Sequence, residues 1–220
     1  MELYIGNKNY STWSLRAWMV MRFFNLDFKE KPLSLDTPQF YEELKLVCPS
    51  MKVPCLVDDD LTVWDSLAIC EYINDKYLSG KAWPGDLARR AQARAIAAEM
   101  HSGFMALRAA MPMNIRAERR VDVSESVRKD ILRIEDIFAE RMRTNNQEIN
   151  DGWLFGDFSI ADAMFIPVVL RFKTYRVILE DDAQKYVDFV LNSPVLAEWV
   201  EHALSETDIV EADEAGEPIF

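Results

Sequence analysis

Within the first 80 residues, short runs that suit β-strands alternate with runs whose apolar side chains recur at helical spacing; beyond residue 82 no strand-like run is sustained. Glu2 to Ile5 is a short apolar strand. From Ser14 to Phe24, Leu15, Trp18, Met19 and Phe23 follow helical spacing, and Asp27 to Leu33 alternates apolar and charged residues as a second strand would. Thr37-Pro38 sets a capping hydroxyl before a proline at the first helical position, so a helix runs from there to about Leu46 and ends before Pro49. Val53 to Val57 and Leu61 to Trp64 flank the acidic turn Asp58-Asp59-Asp60 and make a hairpin, and Ser66 to Tyr77 is helical again.

The order is therefore βαβ followed by αββα, a parallel crossover joined to a terminal hairpin, which is the order of a thioredoxin-like fold. Trp83-Pro84-Gly85 reads as a connector. The rest reads as helices at Ala88 to Met111, Ser124 to Met142, Ser159 to about Val177, Tyr186 to Leu191 and Pro194 to Leu204, followed by an acidic tail from Glu206 to Phe220. The expected fold class is α/β plus all-α, with a thioredoxin-like domain over 1–80 and an all-helical domain over 87–220.

Charge and composition narrow the function. With 37 acidic and 25 basic residues, the formal net charge of -12 repels phosphate and argues against nonspecific nucleic-acid binding. Local basic clusters at Arg89, Arg90 and Arg94 and at Arg116, Arg119 and Arg120 lie at helical spacing among acids and read as solvated faces. Cys48, Cys55 and Cys70 form no CxxC, and His101 and His202 stand far apart, so neither a dithiol motif nor a metal site is expected. The N-terminal run has no basic or apolar leader and no stretch is long enough to span a bilayer, so a cytoplasmic chain without membrane attachment is expected.

Three segments carry chemistry. Tyr10-Ser11-Thr12-Trp13-Ser14 joins the first strand to the first helix, where hydroxyls and amides at a helix N-terminus suit an anion; each of Ser11, Thr12 and Ser14 also suits a plain helix cap. Lys52-Val53-Pro54 precedes the third strand, and a cis Val-Pro bond there would turn the Val53 backbone toward an extended peptide; a trans proline at a strand start is the alternative. Asp65-Ser66 opens a helix, where a carboxylate beside a hydroxyl can hold an amino acid's ammonium and carboxylate, or merely cap the helix.

Lying at successive strand ends, the three can face one crevice, and the arrangement resembles the glutathione transferase family over essentially the whole chain. Gly156-Asp157-Phe158-Ser159-Ile160-Ala161-Asp162 is similar to the signature opening that family's long core helix, and physically it is a capping box. The resemblance implies a cis proline at Pro54, backbone pairing of Val53 with the cysteinyl part of glutathione, Asp65 and Ser66 on the γ-glutamyl end, and Lys52 at the glycyl end. It implies that Ser11, Tyr10 or Thr12 meets the glutathione sulfur, with Ser11 in the leading position of a serine-type, zeta-like pattern. Zeta-type members carry Ser-Ser-Cys at this turn, whereas here Trp13 takes the place of the cysteine. An acceptor pocket is expected between Tyr10, Trp13 and a helix bearing Met100, Phe104, Met105, Leu107 and Met111. The implied function is transfer of the glutathione thiolate to a small electrophile by a homodimer, with glutathione as co-substrate and no metal. A binding or regulatory module without turnover, and a glutathione-dependent isomerase or peroxidase, stand as alternatives.

Overall fold

The structure is a computed structural model describing residues 1–148 and 152–219; Phe220, the last residue of the acidic tail, lies outside the described residues. Strands β1 (Glu2–Ile5), β2 (Lys29–Pro32), β3 (Cys55–Asp58) and β4 (Leu61–Trp64) form one sheet in the order β2-β1-β3-β4. β1 and β2 are parallel across the crossover helix α1 (Thr12–Phe23), while β3 is antiparallel to both β1 and β4. With α2 (Pro38–Val47) and α3 (Ser66–Tyr77) this is the thioredoxin-like arrangement that the pattern predicts.

Strand alternation divides the apolar side chains between two layers. Leu3 and Ile5 of β1 and Leu56 of β3 face the main core with α1 and α3, whereas Tyr4 and Cys55 face a smaller cluster under α2 with Phe40 and Leu44. Thr37 Oγ1 accepts the Phe40 N–H at 3.2 Å, the predicted cap of α2. In the hairpin, the buried Asp58 carboxylate accepts from Tyr72 Oη at 2.7 Å, Lys76 Nζ at 2.7 Å and Tyr77 Oη at 2.5 Å. Burial alone would push this carboxyl up; the Lys76, Tyr77 and Tyr72 donors outweigh it and hold the group down, at about 2.

The remainder is helical: α4 (Leu87–Ser102), α5 (Met105–Ala110), α6 (Glu125–Glu148), α7 (Ile160–Thr174), α8 (Asp181–Leu191) and α9 (Pro194–Ser205). α7 is apolar on nearly every face and packs against α1, α3, α4 and α8, so one core runs through both halves. Its start is the predicted box: Asp162 Oδ2 accepts the Ser159 N–H at 2.9 Å and the Ser159 hydroxyl at 3.0 Å.

Three expectations need correction. The helix expected over Ala88 to Met111 is two, because Phe104 is left-handed at φ 54° and ends the run after Gly103. The second half also contains strands, β5 (Arg119–Arg120) and β6 (Glu217–Pro218), paired antiparallel. Arg116, Arg119 and Arg120 accordingly lie outside any helix. Arg116 and Arg119 hold the tail by hydrogen bonds to groups 90 to 97 positions later, beyond any helical pattern.

Candidate functional site

The turn between β1 and α1 is fixed by several elements at once. Ser11 occupies the N-cap position of α1 but makes no side-chain cap bond. Its Oγ instead donates to Ser14 Oγ at 2.7 Å, and Ser14, fully buried, also accepts the Gly6 N–H at 3.1 Å. The capping alternative therefore does not account for the Ser11 hydroxyl. Ser11 stands at the wall of a cavity of about 660 Å³ whose lining also includes Tyr10, Thr12, Trp13, Lys52 and Val53. The Val53–Pro54 peptide bond is cis.

From the helical half the same cavity is lined by Met105, Arg108, Ala109, Pro112, Met113 and Arg171. Of the methionine stripe expected there, Met105 lines the cavity, while Met100, Leu107 and Met111 are buried in the core. Phe104 is outside the lining, at the N-cap of α5, with 8% of its surface exposed.

Asp65 and Ser66 also lie outside the lining, and Asp65 joins it through contacts. Asp65 Oδ1 accepts the Leu67 and Ala68 N–H groups at 2.9 and 3.1 Å, so it does cap α3. Its second oxygen lies 3.2 Å from His101 Nε2, and the His101 ring meets the Trp13 ring edge-on at 5.4 Å. Asp65 sits at φ 75°, ψ 130°, a conformation that costs a non-glycine residue about 1–3 kcal/mol and concentrates at ligand sites. Beside it Ser66 Oγ is buried without a hydrogen-bond partner.

Sequence reasoning missed the tail. Glu206 accepts the Lys8 N–H at 2.7 Å and the Asn9 N–H at 2.9 Å, and Asp208 accepts from Asn7 Nδ2 at 3.1 Å. Tyr10 Oη donates to Glu214 Oε1 at 2.5 Å and accepts from Arg116 at 2.9 Å, while Glu214 is also ion-paired with Arg119. Tyr10 thus borders the cavity while its hydroxyl is engaged by the tail. Glu206→Ala is expected to speed amide exchange at Lys8 and Asn9 at least tenfold, since hydrogen bonds to a charged acceptor contribute about 1.5–3 kcal/mol each; unchanged exchange would show that the turn holds without the tail.

Sequence reasoning also missed Arg108 and Arg171, which give no local motif. Burial pushes the Arg171 guanidinium down to about 10 and that of Arg16, behind Trp13, to about 9; nearby Arg108 adds to both effects.

A sheet with a cis proline, the Ser11 turn and a helical wall that share one cleft define a thioredoxin-like domain joined to a helical partner; Pro54 itself lies outside the cavity lining. Residues 10–76 match the family model for the glutathione S-transferase N-terminal domain. A probable maleylacetoacetate isomerase from Caenorhabditis elegans is 31% identical over 105 residues, 48% of each chain. The maleylacetoacetate isomerase of Pseudomonas aeruginosa is 27% identical over 82% of this chain and 85% of its own. A glutathione transferase homologue from Burkholderia, solved with bound glutathione, superposes with a TM-score of 0.65 at 24% identity, covering 92% of this chain and 96% of its own. The match spans about half the length of the first of these relatives. Residues 10–76 thus match the glutathione S-transferase N-terminal domain, and the chain shares the fold of the Burkholderia homologue.

Proposed function

We propose that the protein binds glutathione in this cleft and transfers its thiolate to a small electrophile, with Ser11 donating to the sulfur. One observation carries the reading: Ser11 borders the cavity, and its hydroxyl is not spent as a helix cap and is backed by the buried Ser14. A free thiol has a pKa near 8.5, and a hydroxyl donor at a helix N-terminus favours its ionised form. Ser14 can take the donor role toward Ser11 once Ser11 turns to the sulfur, so the pair passes one hydrogen bond inward. Thr12 supplies a second hydroxyl at the cavity wall, and Tyr10 acts by holding the turn to Glu214 and Arg116.

In this reading the Val53 backbone pairs with the cysteinyl unit and Lys52 meets the glycyl carboxylate. The strained Asp65 and the unpartnered Ser66 hydroxyl receive the γ-glutamyl end, and Trp13 separates that end from the acceptor. Phe104 supports α5 and takes no part in contacting substrate. A glutathione-dependent isomerase would use the same thiolate, and the names of the two isomerase relatives favour it as the second reading. Domain limits of 1–80 and 87–220, a cytoplasmic location and a homodimer formed through the long helices belong to the same proposal; sedimentation as a monomer would remove the last.

Calorimetric titration with glutathione, run beside assays of electrophile conjugation and of cis–trans isomerisation, tests the reading. Binding with turnover is expected. Binding without turnover in either assay would make the chain a binding module, and no binding would reduce the named residues to caps and a strand proline.

A further inference from the structure

We infer that Asp213, brought to the cavity by the tail of the chain, is the proton donor for acceptors that must gain a proton once the thiolate has added, namely α,β-unsaturated ketones and related activated alkenes. The inference rests on the glutathione-transfer reading above and assigns the acceptor half of that reaction.

Two acids line the cavity, and they differ. Asp36 is exposed and accepts from Tyr41 Oη at 3.1 Å. Asp213 is half-buried, and among the described residues its carboxyl enters no hydrogen bond or ion pair. Its neighbours in the tail are bound: Glu206 to the Lys8 and Asn9 amides, Asp208 to Asn7 and Ser34, and Glu214 to Tyr10, Asn114 and Arg119. Those bonds fix the segment while Asp213 keeps an open carboxyl. It closes a single 3-10 turn over Glu211–Asp213, its N–H donating to the Val210 carbonyl at 2.9 Å. Just beyond it, Arg119 donates to the Glu214 and Gly216 carbonyls at 3.3 and 3.1 Å.

The charged and titratable groups acting on Asp213 are Arg171 in α7, Tyr175 at the end of that helix, and Asp36. Burial holds the Asp213 carboxyl above its ordinary range; Arg171 opposes that shift and Asp36 adds to it. The carboxyl therefore keeps its proton to a higher pH than an exposed aspartate does, as a general acid must. Ser11 lines the same cavity and, in the reading above, favours the ionised thiol. One cleft thus joins a group that favours an anion to a group that retains a proton.

That pairing serves addition. The sulfur–carbon bond forms at the β-carbon of the enone, and the alkene electron pair moves toward the carbonyl oxygen as an enolate. The α-carbon then takes the Asp213 proton, a C–H bond forming as the O–H bond breaks. The proton given up by the glutathione thiol restores the carboxyl, so the sum is glutathione plus enone giving the adduct. An aryl chloride needs no such donor, because chloride leaves with its electron pair.

The test compares two neutral acceptors, trans-4-phenyl-3-buten-2-one and 1-chloro-2,4-dinitrobenzene, on the unsubstituted protein and on Asp213→Asn. The substitution should lower kcat for the enone about a hundredfold and leave the aryl chloride within about twofold. The alkaline fall in the enone pH profile should vanish with it, and Asp213→Glu should restore part of the rate. Equal loss with both acceptors, or an enone profile that keeps its alkaline fall, overturns the role of Asp213. If Asp213→Asn fails to fold, the solvent isotope effect on the unsubstituted protein decides: a slowing of roughly twofold or more in D2O with the enone alone supports the inference, and equal effects with both acceptors overturn it. Turnover of the aryl chloride without the enone overturns it too and leaves the transferase reading standing. Turnover of neither, with glutathione bound, overturns both.

Discussion

Ser11→Ala is expected to lower kcat roughly a hundredfold while glutathione affinity changes by less than about threefold, the scale seen when one donor to a developing or bound anion is removed. Ser11 makes no bond to the α1 amides, so its removal leaves the helix cap geometry intact and takes away a donor at the cavity wall. The thiol of bound glutathione should then ionise at higher pH, and the rising limb of the kcat profile should move up by about one to two units. Ser14→Ala removes the group behind Ser11 and should give a smaller loss of the same kind, with some loss of stability because Gly6 forfeits its acceptor. A loss confined to binding, equal in Ser11→Ala and Asp65→Ala, would sink the role given to Ser11.

The largest loss of stability is expected at Asp162. Its carboxylate is fully buried and accepts four hydrogen bonds: from the Ser159 N–H and hydroxyl on one oxygen, and from Leu154 N–H at 2.9 Å and Tyr186 Oη at 3.2 Å on the other. Asp162→Ala leaves those donors unpaired in the core and should cost about 3–5 kcal/mol, lowering Tm by roughly 10 °C for a chain of this size. The pH dependence has a definite sign. Burial raises this carboxyl to about 6 against its four donors, so the folded form holds the proton more tightly than the unfolded form. Its contribution therefore favours folding most at low pH and declines as pH rises from about 4 to about 6, then stays level. Asp162→Asn should lack that slope; an unchanged Tm difference between the two proteins across pH 4 to 6 would contradict it.

Much of this architecture was legible because it is written in local order. The Thr37-Pro38 cap, the Ser159-to-Asp162 box, the acidic hairpin turn, which narrows to Asp59-Asp60 because Asp58 ends β3, and the short apolar run of β1 act within a few residues, so spacing reveals them. Phe104 broke the reading of one long helix, since a left-handed phenylalanine leaves no mark in apolar periodicity. Arg116 and Arg119 looked like a solvated helical face because their partners, Tyr10, Glu206, Asp208 and Glu214, are 90 or more positions away. Arg171 sits in an apolar helix whose pattern says only that it is buried. Which arginine finds a carboxylate and which does not is settled by tertiary packing, and no window of sequence contains that fact.

The clamp between Glu206 and the amides of Lys8 and Asn9 closes a loop of 198 and 197 positions. Such a closure must overcome the entropy of everything between before its hydrogen bonds contribute, so it belongs to the last contacts a chain makes. The four-stranded sheet and its three helices need only the first 77 residues and can assemble earlier. Folding and competence are thus separated in time: the turn that presents Ser11 is encoded near the beginning of the chain but acquires its final shape only when α9 and the segment after it have docked.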